Sequence, residues 1–281
     1  MSDASEITRR AKSNLAFALH ILPRERRDDM VVFYALCRTL DDLADDPGVA
    51  PARRIEALDA WANGLAAGFE NPGILQQQVT ALRERRAIPN EWLAAIIDGC
   101  RMDLQPQRFQ TWENLSEYVW KVACAVGLVS IRLFGCTDPG AERYAVALGR
   151  ALQLTNILRD IREDHDNGGR IYLPLADLAR FHYSPQDLAN HVCDDRFLAL
   201  MAFEADRVEG WFREAAEAAA ALPAADRRAL APARIMAEIY HRLLVCMRRD
   251  GFRVFDRRYR ISRVRKIAIF ARHFAAGLLF R

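Results

Sequence analysis

The sequence lacks the patterns on which several common protein classes depend. Its six cysteines lie far apart and form no CxxC pair, which argues against a zinc site and against a small disulfide framework. The N-terminus, MSDASEITRRAKSN, contains no apolar signal segment, and no run of about 18 apolar residues occurs. We therefore expect reduced thiols and a cytoplasmic protein that neither carries a standard export signal nor spans a membrane.

Familiar catalytic signatures are also missing. The six histidines show no metal-binding spacing such as HExxH, and no Ser-His-Asp or P-loop pattern stands out. The net charge of +3 is too small to imply binding of nucleic acid. Hydrophobic residues make up 51% of the 281, which is typical of a soluble globular protein that is long enough to bury a sizeable core.

What the sequence does contain is a helical period almost throughout. Apolar residues recur at helical spacing, and groups rich in Pro, Gly and Asn separate the segments. The predicted helices cover roughly 4–20, 24–45, 51–69, 74–86, 90–104, 111–134, 139–165, 185–221, 224–250 and 262–279. Because no linker, internal repeat or low-complexity tract divides the chain, the simplest interpretation is one all-α domain of about ten helices over residues 1–281.

The C-terminal region is strongly basic. From Arg248 to Arg272, ten Arg or Lys residues occur against two Asp, and the apolar tail KIAIFARHFAAGLLFR overlaps the end of this stretch. A basic amphipathic element of this kind can rest on an anionic membrane surface, which would place the protein on the inner face of the membrane. The simpler alternative is slightly favoured because basic helix faces are common and need no partner: a last helix that packs on the bundle with solvated arginines.

Two of the predicted helices carry a narrow row of polar residues. The first row is Tyr34, Arg38, Asp41 and Asp45, and the second row is Gln153, Asn156, Asp160 and Asp164. At about 100° per residue, the eleven steps of each row return to within roughly 20° of their start, which gives a stripe about 16 Å long on one helix face. Leu, Ile, Val and Phe residues occupy most of the remaining circumference, so we expect both helices to be largely buried.

Paired carboxylates in such surroundings need a cation, a metal ion or several hydrogen-bond donors to stay ionised. One row alone is usually a solvated helix face, but two rows on apolar helices indicate a site. Mg²⁺ is typically held by a few carboxylates together with phosphate oxygens, so two facing rows would form a cage for several Mg²⁺ ions and one diphosphate. The expected chemistry is metal-assisted ionisation of a diphosphate ester, with apolar walls around a long apolar chain and a carbocation.

Both rows lie in stretches that resemble the two aspartate-rich signatures of the squalene/phytoene synthase family: YALCRTLDDLADD and LQLTNILRDIREDHDNGGRIYLP. The middle helix of that family resembles YVWKVACAVGLVSIRLFG, and bacterial members resemble ILPRERRDDMVVFYALCR and YRISRVRK, so the resemblance covers nearly the whole chain. It implies an all-α isoprenoid synthase fold, with a bundle of helices around a central apolar cavity.

The resemblance also implies a reaction, the head-to-head condensation of two prenyl diphosphates. Mg²⁺ assists departure of diphosphate from one molecule, and the C2–C3 double bond of the second molecule attacks the cation. Loss of a proton then closes a cyclopropane. Several Mg²⁺ ions, expected to be three, would be the cofactors.

Roles for individual residues follow from the matching motifs. The residues similar to the family's Mg²⁺–diphosphate ligands are Asp41, Asp45, Asp160 and Asp164, joined by Asn156. The residues similar to those that contact diphosphate are Tyr34, Arg38, Gln153 and Arg159. Tyr118 resembles a tyrosine near the reacting centre and is a candidate for proton removal. Looser matches to substrate-binding positions are Tyr172, Tyr240 and Arg258.

Two positions depart from the family pattern. A Ser-x-Ser-Phe stretch that contacts diphosphate in many members reads Lys12-Ser13-Asn14-Leu15 here, which puts a contribution from Ser13 or Asn14 in doubt. Arg162 stands inside the second row, where relatives more often have a small or acidic residue. Because it is two positions from both Asp160 and Asp164, we expect it to point away from the row.

Three products stay open at this point. The wording of the second signature, the short chain and the C-terminus favour presqualene diphosphate, made from two farnesyl diphosphates in squalene or hopanoid biosynthesis. The alternatives are phytoene, made from two geranylgeranyl diphosphates in carotenoid biosynthesis, and squalene, which would require NADPH. A helical assembly or binding protein without catalysis is the non-enzymatic alternative, and the complete set of four aspartates disfavours it. The sequence predicts no oligomeric state.

Overall fold

The computed structural model of the chain describes residues 21–46, 48–105 and 107–279. The α-helices run over Arg24–Asp45 (α1), Pro51–Ala67 (α2), Ile74–Arg85 (α3), Asn90–Met102 (α4), Trp112–Val119 (α5), Ala125–Phe134 (α6), Gly140–Asp166 (α7), Leu175–Arg180 (α8), Pro185–Ala189 (α9), Asp195–Ala221 (α10), Ala224–Ala229 (α11), Ala231–Arg249 (α12) and Arg263–Leu279 (α13). Within these residues the only β-type pairing is a single bridge between Arg108 and Ile171. The all-α prediction is confirmed.

Most of the predicted helices are found within a few residues of their expected bounds, but two are interrupted. The prediction of one helix over 185–221 is wrong, because the Asp194 side chain accepts hydrogen bonds from the backbone N–H groups of Arg196 and Phe197 and so begins α10 as a new helix. Leu230 likewise separates α11 from α12, which carries Pro232 in its first turn. The short helix α8 was not predicted, and the predicted helix over 4–20 lies outside the described residues.

The predicted helix over 111–134 is continuous but not α-helical throughout. A π-helical segment, Trp120–Cys124, joins α5 to α6. The segment packs closely on α7 at Gly149, where an added Cβ atom would lie 2.9 Å from the Cα atom of Cys124. Single π-helical turns are rare and often occur at functional sites. This one begins two residues after Tyr118.

The central helix of the bundle is α7. It packs most extensively against α10, and also against the π-helical segment, α6 and α12. Its first half, up to Leu148, belongs to the same hydrophobic cluster as the buried residues of α1, whereas its second half, from Ala151, belongs to a second cluster with α10 and α12. The second row therefore lies on the half of α7 that passes through the second cluster.

All six cysteines lie in the described residues and are free, with Cys100, Cys124 and Cys136 buried. Among the described helices, none combines the length and the apolar character needed to cross a bilayer.

Candidate active site

The first row lies along α1, on a side of the helix that the hydrophobic core leaves open. Tyr34 is half-buried, whereas Arg38, Asp41 and Asp45 are exposed. The buried side of this part of the helix consists of Phe33, Ala35, Leu36 and Leu40. The expectation of a largely buried helix therefore holds for the apolar side of α1, while the carboxylates of the first row stay within reach of solvent.

Asp41 has an unusual charge environment for an exposed residue. Protein surrounds much of its carboxyl group, and this loss of hydration, together with the nearby Asp45 carboxylate, raises its pKa to about 6. Arg38 opposes the shift, but its guanidinium pairs with Asp42, at 2.6 Å, beside the row. The first row is thus a pair of carboxylates that the neighbouring arginine only partly neutralises.

The second row is more deeply buried than the first. Its members are all partly buried, and the Asp160 side chain is only 13% exposed. Two guanidinium groups pair with Asp160. The Nε atom of Arg159 donates to Oδ1 at 2.8 Å, and its Nη2 atom bonds the second oxygen, while the Nε atom of Arg258 lies 3.1 Å from Oδ1. The negative charge of the Asp160 carboxylate is therefore compensated by arginines before any ligand binds.

Asp164, one turn further along α7, is less well compensated. Burial and the carboxylate of Asp160 raise its pKa to about 7, and Arg170 and Arg159 only partly offset this. Asp164 and Arg170 line a small cavity together with Tyr172. This carboxyl group therefore holds its proton more tightly than an ordinary aspartate does.

An acidic residue that the sequence analysis missed lies between the rows. Asp103 directly follows α4. Its carboxylate accepts hydrogen bonds from the hydroxyl groups of Tyr118, at 2.9 and 3.1 Å, and of Tyr172, at 3.2 Å. Burial raises the pKa of Asp103, and the two tyrosine hydrogen bonds oppose that shift. The only sequence signal was a single aspartate in the apolar stretch CRMDL.

Asp103 and its neighbours connect the two rows. Its charge raises the pKa of Asp41, and Asp45 in turn raises the pKa of Asp103. On the other side, the Nη2 atom of Arg170 donates to the backbone oxygen of Asp103 at 3.0 Å, and Arg170 also acts on Asp164. The carboxylates of both rows are therefore close enough to interact through one shared group of polar residues.

Tyr118 and Tyr172 form an aromatic stack above this group. Their ring centroids are 5.3 Å apart, and Phe109 lies 5.4 Å from the ring of Tyr118. Burial and the Asp103 carboxylate raise the pKa of both tyrosine hydroxyls above the usual range, so both hold their protons. In this structure Tyr118 is a neutral donor to Asp103 and not a phenolate base.

The remaining predicted residues group around the second row. Tyr240 interacts with Arg159, and Arg258 contacts both Asp160 and Glu163. Gln153 is half-buried at the start of the row. Ser13 and Asn14 lie outside the described residues.

Arg162 is half-exposed and does not join the second row. Its Nη1 atom donates to the backbone oxygen of Phe255 at 2.6 Å, which places its side chain on the flank of α7. The expectation that this residue points away from the row agrees with that geometry.

Comparison with known proteins decides the family. A family model described as squalene/phytoene synthase matches residues 8–265. The chain belongs to the squalene/phytoene synthase family. This is a family of head-to-head prenyl diphosphate synthases, and the resemblance expected from the two aspartate-rich stretches is confirmed.

Relatives within the family carry more than one activity in their names. The chain is 35% identical to a 15-cis-phytoene synthase of Synechocystis sp., covering 95% of this chain and 83% of the relative. It is 33% identical to a presqualene diphosphate synthase of Rhodopseudomonas palustris, covering 92% and 91%. A crystal structure of a dehydrosqualene synthase is similar with a TM-score of 0.83 at 26% identity, covering 97% and 94%. These similarities define the fold and the family without separating its products.

The residues present fit the divalent metal that squalene/phytoene synthases generally use for diphosphate binding. Within the described residues, no three carboxylate, His or Cys side chains converge to hold a metal by themselves, and Mg²⁺ commonly relies on one or two carboxylates plus substrate phosphate oxygens. The buried Oδ1 atom of Asn156 has no hydrogen-bond partner among those residues. An oxygen left without a donor, one turn from Asp160, is a ligand of the type that a hard cation takes.

Proposed function

We propose that this protein catalyses the Mg²⁺-dependent head-to-head condensation of two prenyl diphosphates. The observation that carries the proposal is the pair of aspartate rows joined through Asp103 and Arg170. Asp41, Asp45, Asp160 and Asp164 would hold the metal–diphosphate group, with Asn156 as a further oxygen ligand. When bound, Mg²⁺ would stabilise the negative charge that develops on the departing diphosphate.

Cationic side chains around the rows would bind the diphosphate itself. Arg159 and Arg258 already lie on Asp160 and present further N–H donors at the same place. Arg38 and Tyr34 would serve the first row, and Gln153 the second. Tyr240 would hold Arg159 in place.

The aromatic group beside Asp103 would serve the carbocation and the final proton. The stacked rings of Tyr118 and Tyr172 offer π faces that can stabilise a cation in a dry cavity. Because the Tyr118 hydroxyl donates to Asp103, a substrate proton would pass to the Tyr118 oxygen as the hydroxyl proton moves to Asp103. The raised pKa of Asp103 makes that carboxylate a better proton acceptor than an ordinary aspartate.

For the product, we propose presqualene diphosphate, formed from two farnesyl diphosphates with release of diphosphate, for squalene or hopanoid biosynthesis. The relatives of similar identity include both presqualene diphosphate and phytoene synthases, so phytoene from two geranylgeranyl diphosphates is the second candidate. Squalene formation with NADPH is the third.

The experiment is an incubation of purified protein with farnesyl or geranylgeranyl diphosphate, with and without Mg²⁺ and NADPH. Released diphosphate and extracted lipids are then measured, the lipids by mass spectrometry. We expect Mg²⁺-dependent turnover of farnesyl diphosphate to presqualene diphosphate without NADPH. Phytoene from the longer substrate would correct the product. No turnover of either substrate with Mg²⁺ present would favour a non-enzymatic assembly or binding protein.

We also propose that the protein is cytoplasmic and contacts the inner face of the membrane through its basic C-terminal region. An apolar stripe on α13 supports this. Val264, Ile267 and Phe274 are 77%, 57% and 48% exposed, and at about 100° per residue they share one face of the helix with the exposed Ala268 and Ala271.

Positive charge accompanies the stripe. Arg263 and Arg265 flank it on either side, and among the described residues neither forms an ion pair. Burial, with the charges of Arg263 and Arg260, lowers the pKa of Lys266, which shows that the cations of this region lie close together. We expect sedimentation with vesicles of anionic lipid, weaker sedimentation with neutral vesicles, and loss of binding on Ile267→Ser with Val264→Ser. Equal sedimentation with both vesicles would contradict the contact.

A further inference from the structure

The segment between α12 and α13, residues 250–262, forms a folded loop that carries Arg258. We call it the 250–262 loop. The Tyr259 hydroxyl accepts the backbone N–H of Arg253 at 3.1 Å and donates to Asp250, and Arg257 also pairs with Asp250. Because these bonds lie within the loop, they shape it without fixing its position relative to α7.

Three polar contacts, made by two arginines, join this loop to α7. Arg258 pairs with Asp160, at 3.1 Å, and with Glu163, at 2.8 Å. Three residues earlier in the loop, the backbone oxygen of Phe255 accepts a hydrogen bond from the Nη1 atom of Arg162 at 2.6 Å. Asp166, one turn along α7, accepts the Nε–H of Arg162 at 3.4 Å and orients its guanidinium.

Apolar packing holds the loop at Val254, Phe255 and Tyr259, which are buried in the second hydrophobic cluster, whereas residues 256–258 are exposed. An open cavity of about 370 Å³ lies between this exposed part and α7, lined by Asp160, Arg162, Glu163 and Asp166 on the helix and by Val254 and Asp256–Arg258 on the loop. The buried Phe255 ring packs against Phe197, with centroids 4.8 Å apart, and stacks on His191. The bond from Arg162 to the Phe255 carbonyl, a charge-assisted hydrogen bond, adds a polar link to α7 at the start of this exposed part, three residues before Arg258.

We propose that Arg162 is a positioning residue that tethers the 250–262 loop to α7 and so keeps Arg258 on Asp160 and Glu163. The residue does not touch the row itself. It acts on the diphosphate end of the site only through Arg258, and in that respect the proposal rests on the proposed function. It explains why a large cation stands in the middle of the second aspartate signature without facing the row.

The tether can be tested without any substrate by limited trypsin cleavage of the folded protein. The loop offers Arg253, Arg257, Arg258 and Arg260 as cleavage sites. We expect Arg162→Ala to speed cleavage there by about tenfold, because the loss of one charge-assisted hydrogen bond lets the loop open more often. Arg162→Lys should give an intermediate rate. Arg143→Ala, which removes an exposed α7 arginine paired with Glu214, is the control and should leave the rate unchanged. Equal cleavage of Arg162→Ala and the unaltered protein would overturn the tether.

A double-mutant cycle then tests whether the tether acts through Arg258. Binding of inorganic diphosphate in the presence of Mg²⁺ is measured by calorimetry. Arg162→Ala should weaken binding by about tenfold in the unaltered background, and by less than about twofold when Arg258→Ala is already present.

The same fold loss in both backgrounds would mean that Arg162 only stabilises the fold, and would overturn the positioning role. If the unaltered protein binds no diphosphate with Mg²⁺, the proposed function fails, and the cleavage rates still decide on the tether.

Discussion

The two aspartate rows have nearly the same spacing in the sequence but different electrostatic surroundings in the structure. Asp160 in the second row is paired with two arginines and is largely buried. Asp41 in the first row is exposed, and Arg38, one turn before it, pairs with Asp42 instead. Asp160 has its counter-charge within the protein, whereas Asp41 leaves much of its negative charge to a bound cation.

This difference assigns the two rows different parts in the proposed site. Arginines can bind diphosphate oxygens directly, so the second row is suited to hold the diphosphate with little rearrangement. In the first row, Asp41 and Asp45 repel each other, and a divalent metal would supply the missing counter-charge. In the second row the same holds for Asp164, whereas Asp160 already has its arginines, so Mg²⁺ would matter more for Asp41, Asp45 and Asp164 than for Asp160.

The largest expected effect is loss of turnover when either row is broken. Asp41→Ala and Asp160→Ala should each lower kcat/KM for the prenyl diphosphate by at least about 100-fold, because each removes a group that holds the leaving diphosphate. The measurement is diphosphate release at saturating Mg²⁺. Asp28→Ala on α1 and Glu142→Ala on α7 are exposed, paired controls on the same helices and should retain activity. An active Asp41→Ala variant would remove the first row from the site.

The next effect tests the group between the rows. Tyr118→Phe keeps the ring but removes the hydroxyl that donates to Asp103, and we expect it to lower kcat by about 100-fold with little change in KM. Asp103→Asn should act in the same direction, because its amide accepts a proton poorly. Tyr183→Phe, which removes a hydroxyl bonded to the Val192 carbonyl, is the matched control. Unchanged kcat in Tyr118→Phe would exclude this proton path.

A smaller effect concerns pH. The raised pKa values of Asp164, about 7, and Asp41, about 6, mean that Mg²⁺ must displace protons from both groups below those pH values. The affinity for Mg²⁺ with diphosphate should therefore fall as the pH drops through about 7, by up to about tenfold per pH unit for each proton displaced.

Calorimetry in buffers of different ionisation enthalpy measures these protons directly. Because diphosphate also titrates, the matched comparison is Asp164→Asn, which should release fewer protons than the unaltered protein at a pH of about 6. The same proton release from both proteins would show that Asp164 does not face the bound metal.

The smallest effect is on the thermal stability of the metal-free protein when a carboxylate of either row is replaced. Because the pKa of Asp41 is raised, the native state binds the Asp41 proton more tightly than the unfolded chain does. Protonated Asp41 therefore stabilises the fold at low pH, and this stabilisation is lost as the pH rises from about 4 through about 6. At a pH of about 8, Asp41→Asn should therefore raise Tm, by about 2 °C once solvent exposure is allowed for.

Asp160→Asn should do the opposite. It leaves Arg159 and Arg258 without their carboxylate, and we expect Tm to fall by about 4 °C. Scanning calorimetry of the metal-free proteins checks both changes. Shifts of the same sign would contradict the contrast between the rows.

The sequence predicted the helical fold well, because apolar period and helix punctuation depend on local residues. It failed where a single side chain decided the outcome. The cap formed by Asp194 divides the predicted helix over 185–221, although its flanking sequence continues the helical period. The π-helical segment packs closely on α7 at Gly149, and the local sequence of 111–134 gives no signal for its departure from α-helical geometry.

For the candidate site, the spacing of the rows was visible in the sequence, but their surroundings were not. Asp103 is one acid among many until the fold places it against Tyr118 and Tyr172. The contrast between Asp41 and Asp160 likewise depends on Arg258, which lies almost a hundred residues from Asp160 along the chain. Such contacts follow from tertiary packing and not from any periodicity.

The central claim is that the two rows form one site, and a double-mutant cycle on Mg²⁺-dependent binding of inorganic diphosphate tests it most directly. Asp41→Ala, Asp160→Ala and the double variant are compared with the unaltered protein by calorimetry. The account predicts that each single change loses most of the binding and that the double variant loses little more. Losses that simply add, or full binding by either single variant, would show that the rows act separately.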